Sequence, residues 1–262
     1  MSTYYLIIVV AAALLGGGIG LALGGSMTRN VKVALAFSGA YLLALSVLHL
    51  MPEIYISLGE EAGLYVLIGF VLQIGLEQFS KGVEHGHIHL KDQSRGVFPL
   101  GIYLSLILHS FIEGLPLAGA QDAELIGAHL HDHAHAHGFH HNHNHSHGHA
   151  LLYGIAIHKI PEALALTALL FHFFADKAKT VLFILIYALA TPLGMGVGHF
   201  FILKNSPNAM HIYHVLLSIA VGIFLHVGTT IIFEAEEQHR FKLKKGLAVL
   251  LGIFLVWLST TL

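Results

Sequence analysis

The chain has 262 residues, of which 55% are hydrophobic and only 11% charged, with a formal net charge of −2 and no cysteine. So few charges exclude a soluble domain with an ordinary water-facing surface. The missing cysteines exclude disulfides and thiolate ligands, so any metal must be held by His, Glu, Asp or other oxygen donors. Apolar runs long enough to cross about 30 Å of hydrocarbon recur along the whole chain. They predict spans at Tyr4–Leu23, Val31–Met51, Ala62–Phe79, Phe98–Gly119, Leu151–Phe174, Thr180–Leu203, His211–Phe233 and Gly246–Leu262. The expected fold is an all-α membrane protein of eight transmembrane helices, residues 1–262 forming a single transmembrane domain. An even number of spans leaves both termini on the same side.

Lysine and arginine decide which side that is. Of the 13 such residues, Arg29, Lys32, Lys81, Lys91, Arg95, Lys177, Lys179, Arg240, Lys242, Lys244 and Lys245 fall in alternate loops. The other loops hold only Lys204, and Lys159 lies within a span. The positive-inside rule then predicts both termini outside the cytoplasm. The opening Met1-Ser-Thr-Tyr-Tyr lacks the basic start of a secretory signal, so the first apolar run is expected to be a retained span.

Along the chain, the first span carries Gly16, Gly20 and Gly24 at four-residue spacing and the sixth carries Gly194 and Gly198, small residues that let membrane helices pack closely. The second span ends on His49-Leu-Met-Pro52-Glu53 near the predicted outer mouth, where Glu53 is either an entrance ligand or an interfacial carboxylate. Glu77 lies near the cytoplasmic end of the third span, followed by Glu84 and by His85, His87 and His89, an exit cluster or a solvated loop. Between the fourth and fifth spans, at about residues 120–150, a low-complexity loop contains His129, His131, His133, His135, His137, His140, His141, His143, His145, His147 and His149 among small residues. That composition argues against a packed fold and predicts a flexible extracytoplasmic imidazole tether that binds metal. His199 and His226 are lone intramembrane histidines, expected to be satisfied by neighbouring helices; His211 and His214 are expected at the outer interface.

The chemistry concentrates in two stretches, His109-Ser-Phe-Ile-Glu113 and His158-Lys-Ile-Pro161-Glu162. In each, imidazole and carboxylate stand four residues apart, which on a helix puts both on one face a turn apart. Both pairs fall about midway along their spans, where a carboxylate costs about 2.5–3.5 kcal/mol on insertion scales, so a cation is the expected partner. Facing each other, the pairs offer two nitrogen and two oxygen ligands, enough for a roughly tetrahedral Zn²⁺; Fe²⁺, Mn²⁺ or Cd²⁺ suit the same donors. Pro161 lies inside the second pair and Pro116 just beyond the first. Each leaves the carbonyl four residues earlier, Ile157 and Ile112, without its helical partner. Lys159, beside His158, is either the stand-in for a second metal ion, pairing with a site carboxylate, or ion-paired elsewhere in the bundle.

These motifs resemble the ZIP (Zrt-/Irt-like) family of divalent-metal transporters. The resemblance is carried by His109-Ser-Phe-Ile-Glu113-Gly in the fourth span and His158-Lys-Ile-Pro161-Glu162 in the fifth, with Glu77, Thr191-Pro192-Leu-Gly194 and the eight-span, termini-out plan in support. It implies a carrier that moves metal into the cytoplasm, with His109, Glu113, His158 and Glu162 as its central ligands. Members with two adjacent metals carry polar or acidic ligands where this chain has Ser110, Lys159 and Thr191, which implies one central ion here with Lys159 replacing the second. The resemblance further implies that spans one, four, five and six move against spans two, three, seven and eight. A His-rich loop in this family is more usual one loop earlier, on the cytoplasmic side.

Three alternatives stay open at this point. A metal exporter of the cation-diffusion type would show six spans and a soluble C-terminal domain, an intramembrane metallohydrolase would need a general base beside an open metal position, and a metal receptor would bind without flux. No enzyme activity and no catalytic cofactor are expected; the metal is substrate. The partners expected are the divalent ion and the lipid bilayer of a cell membrane, with a homodimer open and no nucleic acid.

Overall fold

The computed structural model describes residues 3–23, 29–80, 100–131, 147–203, 207–234 and 243–261. Among the described residues every regular element is helical: α1 (Thr3–Ala22), α2 (Arg29–Leu45), a π-helical turn (Ser46–Leu50), α3 (Met51–Leu58), α4 (Glu61–Ser80), α5 (Leu100–His131), α6 (His147–Phe174), α7 (Lys177–Ala188), α8 (Ala190–Val197), a second π-helical turn (Gly198–Leu203), α9 (Ala209–Glu234) and α10 (Leu243–Thr261). Seven stretches are long and apolar enough to cross a membrane by length and composition. They match the first seven predicted spans. The eighth, Gly246–Leu262, corresponds to α10, which is helical but is not one of the seven.

Two boundaries differ from expectation. The second span does not stop at Met51: the helix bulges through Ser46–Leu50 and continues to Leu58, so His49 and Glu53 stand inside it rather than at its end. Pro52 directly follows the bulge, and the helix runs on through it. Gly59, with φ of 59°, then ends the helix in a conformation that a side chain would strain. The His-rich segment is also shorter than residues 120–150. α5 runs on to His131 because Ala123, Glu124, Leu125 and Ala128 are strong helix formers, and α6 begins at His147. Further on, Asp176 caps α7 by accepting from the amides of Ala178 at 2.8 Å and Lys179 at 3.2 Å. Pro192 cannot donate to the Ala188 carbonyl, and the helix breaks there between α7 and α8.

Glycines decide how the helices group. A Cβ on Gly16 would overlap the Ile160 carbonyl of α6, and Gly194 and Gly114 bring α8 and α5 into backbone contact at Phe111 and Thr191. On the other side Gly69 and Gly222 seat α4 and α9 against each other's backbone at Ile219 and Val66, Gly228 packs on Gly39 of α2, and Gly252 of α10 packs on Phe37 of α2. These backbone seams join α1 to α6, α5 to α8, α4 to α9, and α2 to both α9 and α10. Other glycines meet side chains: Gly119 of α5 the Tyr213 ring of α9, and Gly154 of α6 the Leu45 side chain of α2. Gly24 lies outside the described residues.

The seams are testable. Alanine at Gly69 or Gly222 puts a methyl group into backbone that has nowhere to go, and each variant is expected to lose roughly 1–3 kcal/mol of stability. Alanine at Gly18, which has nothing within 4 Å, is expected to cost nothing. Thermal unfolding in detergent compares them, and equal midpoints for the three variants would mean that the seam yields.

Candidate metal centre

α5 and α6 carry the two His-Glu pairs, and the structure turns them towards each other in the middle of the protein. His109, Glu113, His158, Lys159 and Glu162 are all 0–1% exposed. Five ionisable side chains withdrawn from solvent must satisfy one another or bind an ion, because a lone buried charge is strongly disfavoured.

They do so in two layers. In the first, one ligand atom each from His109, Glu113 and His158 lie within 4.8 Å of one another, the spacing of a shared metal. The His109 Nε2 to Glu113 Oε1 distance is 3.0 Å, yet neither atom is in hydrogen-bond alignment with a partner. Both ring nitrogens of His158 likewise have no hydrogen-bond partner among the described residues, and its ring stands edge-on to that of His109, centroids 6.4 Å apart. Buried polar atoms are ordinarily paired. Here three donor atoms of the kind that Zn²⁺ and its neighbours accept converge with lone pairs to spare.

In the second layer Lys159 Nζ is the hub. It donates to Glu113 Oε2 at 2.6 Å, Glu162 Oε2 at 2.9 Å and Ser110 Oγ at 2.9 Å, and lies 5.4 Å from the centre of the Tyr187 ring of α7. Glu113 therefore bridges the layers, Oε1 towards the imidazoles and Oε2 towards the ammonium. Glu162, the fourth expected ligand, is not in the converging set; Lys159 donates to its Oε2, and its Oε1 has no hydrogen-bond partner among the described residues. Three of the four predicted ligands come together, and the lysine occupies the space between the two carboxylates.

Two residues near the centre are absent from the ligand set that the sequence predicts. Gln73 of α4, fully buried, takes the other side of His109, Oε1 to Nδ1 at 3.0 Å; an amide inside an apolar run, one turn before Glu77, is the signal that points to it. Tyr187 gives none, since a tyrosine near a span centre reads as packing.

The remaining candidates fall away from the centre. Glu53 accepts from Tyr213 Oη at 3.1 Å and stands 3.8 Å from His214 Nε2, which is 3.0 Å from Ser57 Oγ. His49 faces Ser259 of α10 at 3.4 Å. Glu77 pairs with His226 at 3.3 Å, which places that intramembrane histidine against a neighbouring helix. His149 is set among the rings of Tyr4, Tyr5 and Tyr153. His85, His87 and His89, and the insert from His133 to His145, lie outside the described residues, as do the side chains of His129, His131 and His147.

Compared with known families, residues 133–260 match the model described as ZIP Zinc transporter. A search of curated proteins finds no match to the chain. The matched stretch contains His158 and Glu162 on α6 but begins after His109 and Glu113, so the first half of the centre is supplied by geometry.

Proposed function

From the ZIP-family domain carried by residues 133–260, we propose that this protein carries a divalent metal cation, Zn²⁺ first among Zn²⁺, Fe²⁺, Mn²⁺ and Cd²⁺, across a cell membrane into the cytoplasm. The observation that carries the reading is the convergence of His109, Glu113 and His158 within 4.8 Å, buried and contributed by two helices. A resident structural metal would be expected in a closed set of four ligands. Three converging donors beside a fourth carboxylate engaged by a lysine suit cargo that must be taken up and released.

In this reading the ion binds His109 Nε2, His158 and Glu113 Oε1, while Glu113 Oε2 stays on Lys159. Glu162 is the ligand that Lys159 holds in reserve. With neutral imidazoles the centre carries one net negative charge when empty and one net positive charge when loaded. A second divalent ion in place of the lysine would widen that swing, which a low-dielectric interior resists. Lys159 thus serves as the second cation.

Access to the two sides follows from moving two bundles against each other, α1, α5, α6, α7 and α8 against α2, α3, α4, α9 and α10, and the backbone seams of α1 on α6, α5 on α8, α4 on α9 and α2 on α9 and α10 each lie within one of them. Tyr213, seated on Gly119 and tied to Glu53, stands at the end of the bundle that the charge pattern assigns to the outside. The outward apolar face of α10, with Leu247, Leu250, Leu251, Phe254 and Trp257 exposed, supports an eighth span in contact with lipid. With eight spans the charge pattern puts both termini outside.

The test is flux. Purified protein in liposomes of known orientation is expected to move Zn²⁺ down its gradient, with Cd²⁺, Mn²⁺ and Fe²⁺ competing in an order that the assay ranks. Metal binding without flux in either direction would make the protein a receptor and sink the carrier reading.

A further inference from the structure

Gln73 belongs to α4, in the bundle opposite the metal centre, yet its side chain reaches a proposed ligand. Its Oε1 lies 3.0 Å from His109 Nδ1, and both residues are buried. A carbonyl oxygen only accepts, so the ring nitrogen facing it donates. That puts a proton on Nδ1 and leaves Nε2 turned towards Glu113 Oε1, 3.0 Å away. Outer partners of this kind orient a histidine ligand and raise its basicity.

The same contact crosses between the bundles. It has a neighbour one turn along both helices, where Ser105 of α5 donates to the Leu76 carbonyl of α4 at 2.7 Å. A helix rises about 1.5 Å per residue. Sliding α5 past α4 by the rise of two residues, about 3 Å, stretches a 3.0 Å bond to about 4.2 Å, beyond hydrogen-bond range.

We propose that Gln73 is the positioning residue of the metal centre and the link between its affinity and the relative position of the two bundles. While α4 and α5 stand as they do here, His109 is held with Nε2 towards the ion. When α5 shifts, the acceptor is lost, the ring is free to turn or to move its proton to Nε2, and the ion leaves more easily. The proposal rests on His109 being a metal ligand.

Zn²⁺ uptake into proteoliposomes, read as KM and maximal rate separately, tests it with four variants. Gln73→Met keeps the volume and removes the acceptor: KM is expected to rise by about 10–100-fold, with the maximal rate unchanged or higher. Gln73→Glu restores an acceptor and is expected to bring KM back to the wild-type value or below. Ser105→Ala removes the neighbouring bond without touching the ligand, and its KM is expected to stay put. A wild-type KM in Gln73→Met, no recovery in Gln73→Glu, or an equal rise in Ser105→Ala overturns the proposal, the last because the effect would then be loosened packing. His109→Ala separates the two ways of failing. Full uptake in that variant removes the ligand reading itself, whereas lost uptake there beside a wild-type Gln73→Met defeats the positioning role alone.

Discussion

Replacing Glu113 with Gln is expected to reduce Zn²⁺ uptake by on the order of 100-fold, the equivalent of about 3 kcal/mol, the low end of what breaking a buried charge pair costs. The size of the effect comes from the double duty of one carboxylate. Oε1 stands 3.0 Å from His109 Nε2 in the converging ligand set, and Oε2 takes the 2.6 Å contact from Lys159. A neutral amide loses the anionic ligand and at the same stroke leaves the ammonium with Glu162 alone. The pair of substitutions His158→Ala and Glu162→Ala is expected to abolish uptake too, by emptying the α6 side of the centre. Both are read in the same proteoliposome assay, with correctly folded protein verified by its elution as a single species. Uptake surviving in Glu113→Gln at the wild-type level would move the ion path away from this centre.

Lys159→Met should produce the second large effect, and on stability first. The lysine is fully buried and pairs with two carboxylates that lie on different helices, halving their combined charge. Without it those charges face each other uncompensated, at an expected cost of about 3–5 kcal/mol. Divalent metal should then stabilise the variant more than it stabilises the wild type, because an ion can take the vacated place between Glu113 and Glu162 as well as the site beside the imidazoles. Stabilisation by a ligand grows with concentration over Kd, reaching about 2.7 kcal/mol at a hundredfold excess. Thermal unfolding with and without Zn²⁺ makes the comparison. An unshifted midpoint in Lys159→Met, or a smaller metal response than the wild type's, would deny the lysine its role as a built-in cation.

Much of this architecture is legible in the order of the residues alone. Membrane spans announce themselves because hydrocarbon demands about 20 apolar residues per helix whatever the helix packs against. Seven of the eight expected spans coincide with helices of the required length and composition. The two claws are legible for an equally local reason: on any helix, residues four apart share a face, so His109 pairs with Glu113 and His158 with Glu162 whatever the fold. Gly16, Gly20, Gly194 and Gly198 likewise signal close packing, and the structure supplies the partners, α6 for the first pair and α5 for the second.

Where helices end is less legible. The second span is expected to stop at Met51, just before Pro52. Instead a π-helical turn carries the helix past Pro52 to Leu58. Histidine content makes residues 120–150 resemble one loop, while local helix propensity extends α5 to His131.

Sequence by itself determined the membrane class, the positions of the spans and the chemistry of the donors, since each depends on neighbours within one or two turns. Only the tertiary structure decided which atoms meet. Lys159 could have turned towards many carboxylates, and the packing of α5 on α6 set it between Glu113 and Glu162, drawing Glu162 out of the converging ligand set. Gln73 reaches His109 across 36 positions of chain because α4 lies beside α5. Such contacts depend on which helix faces which across the bundle, and no local pattern of residues encodes that.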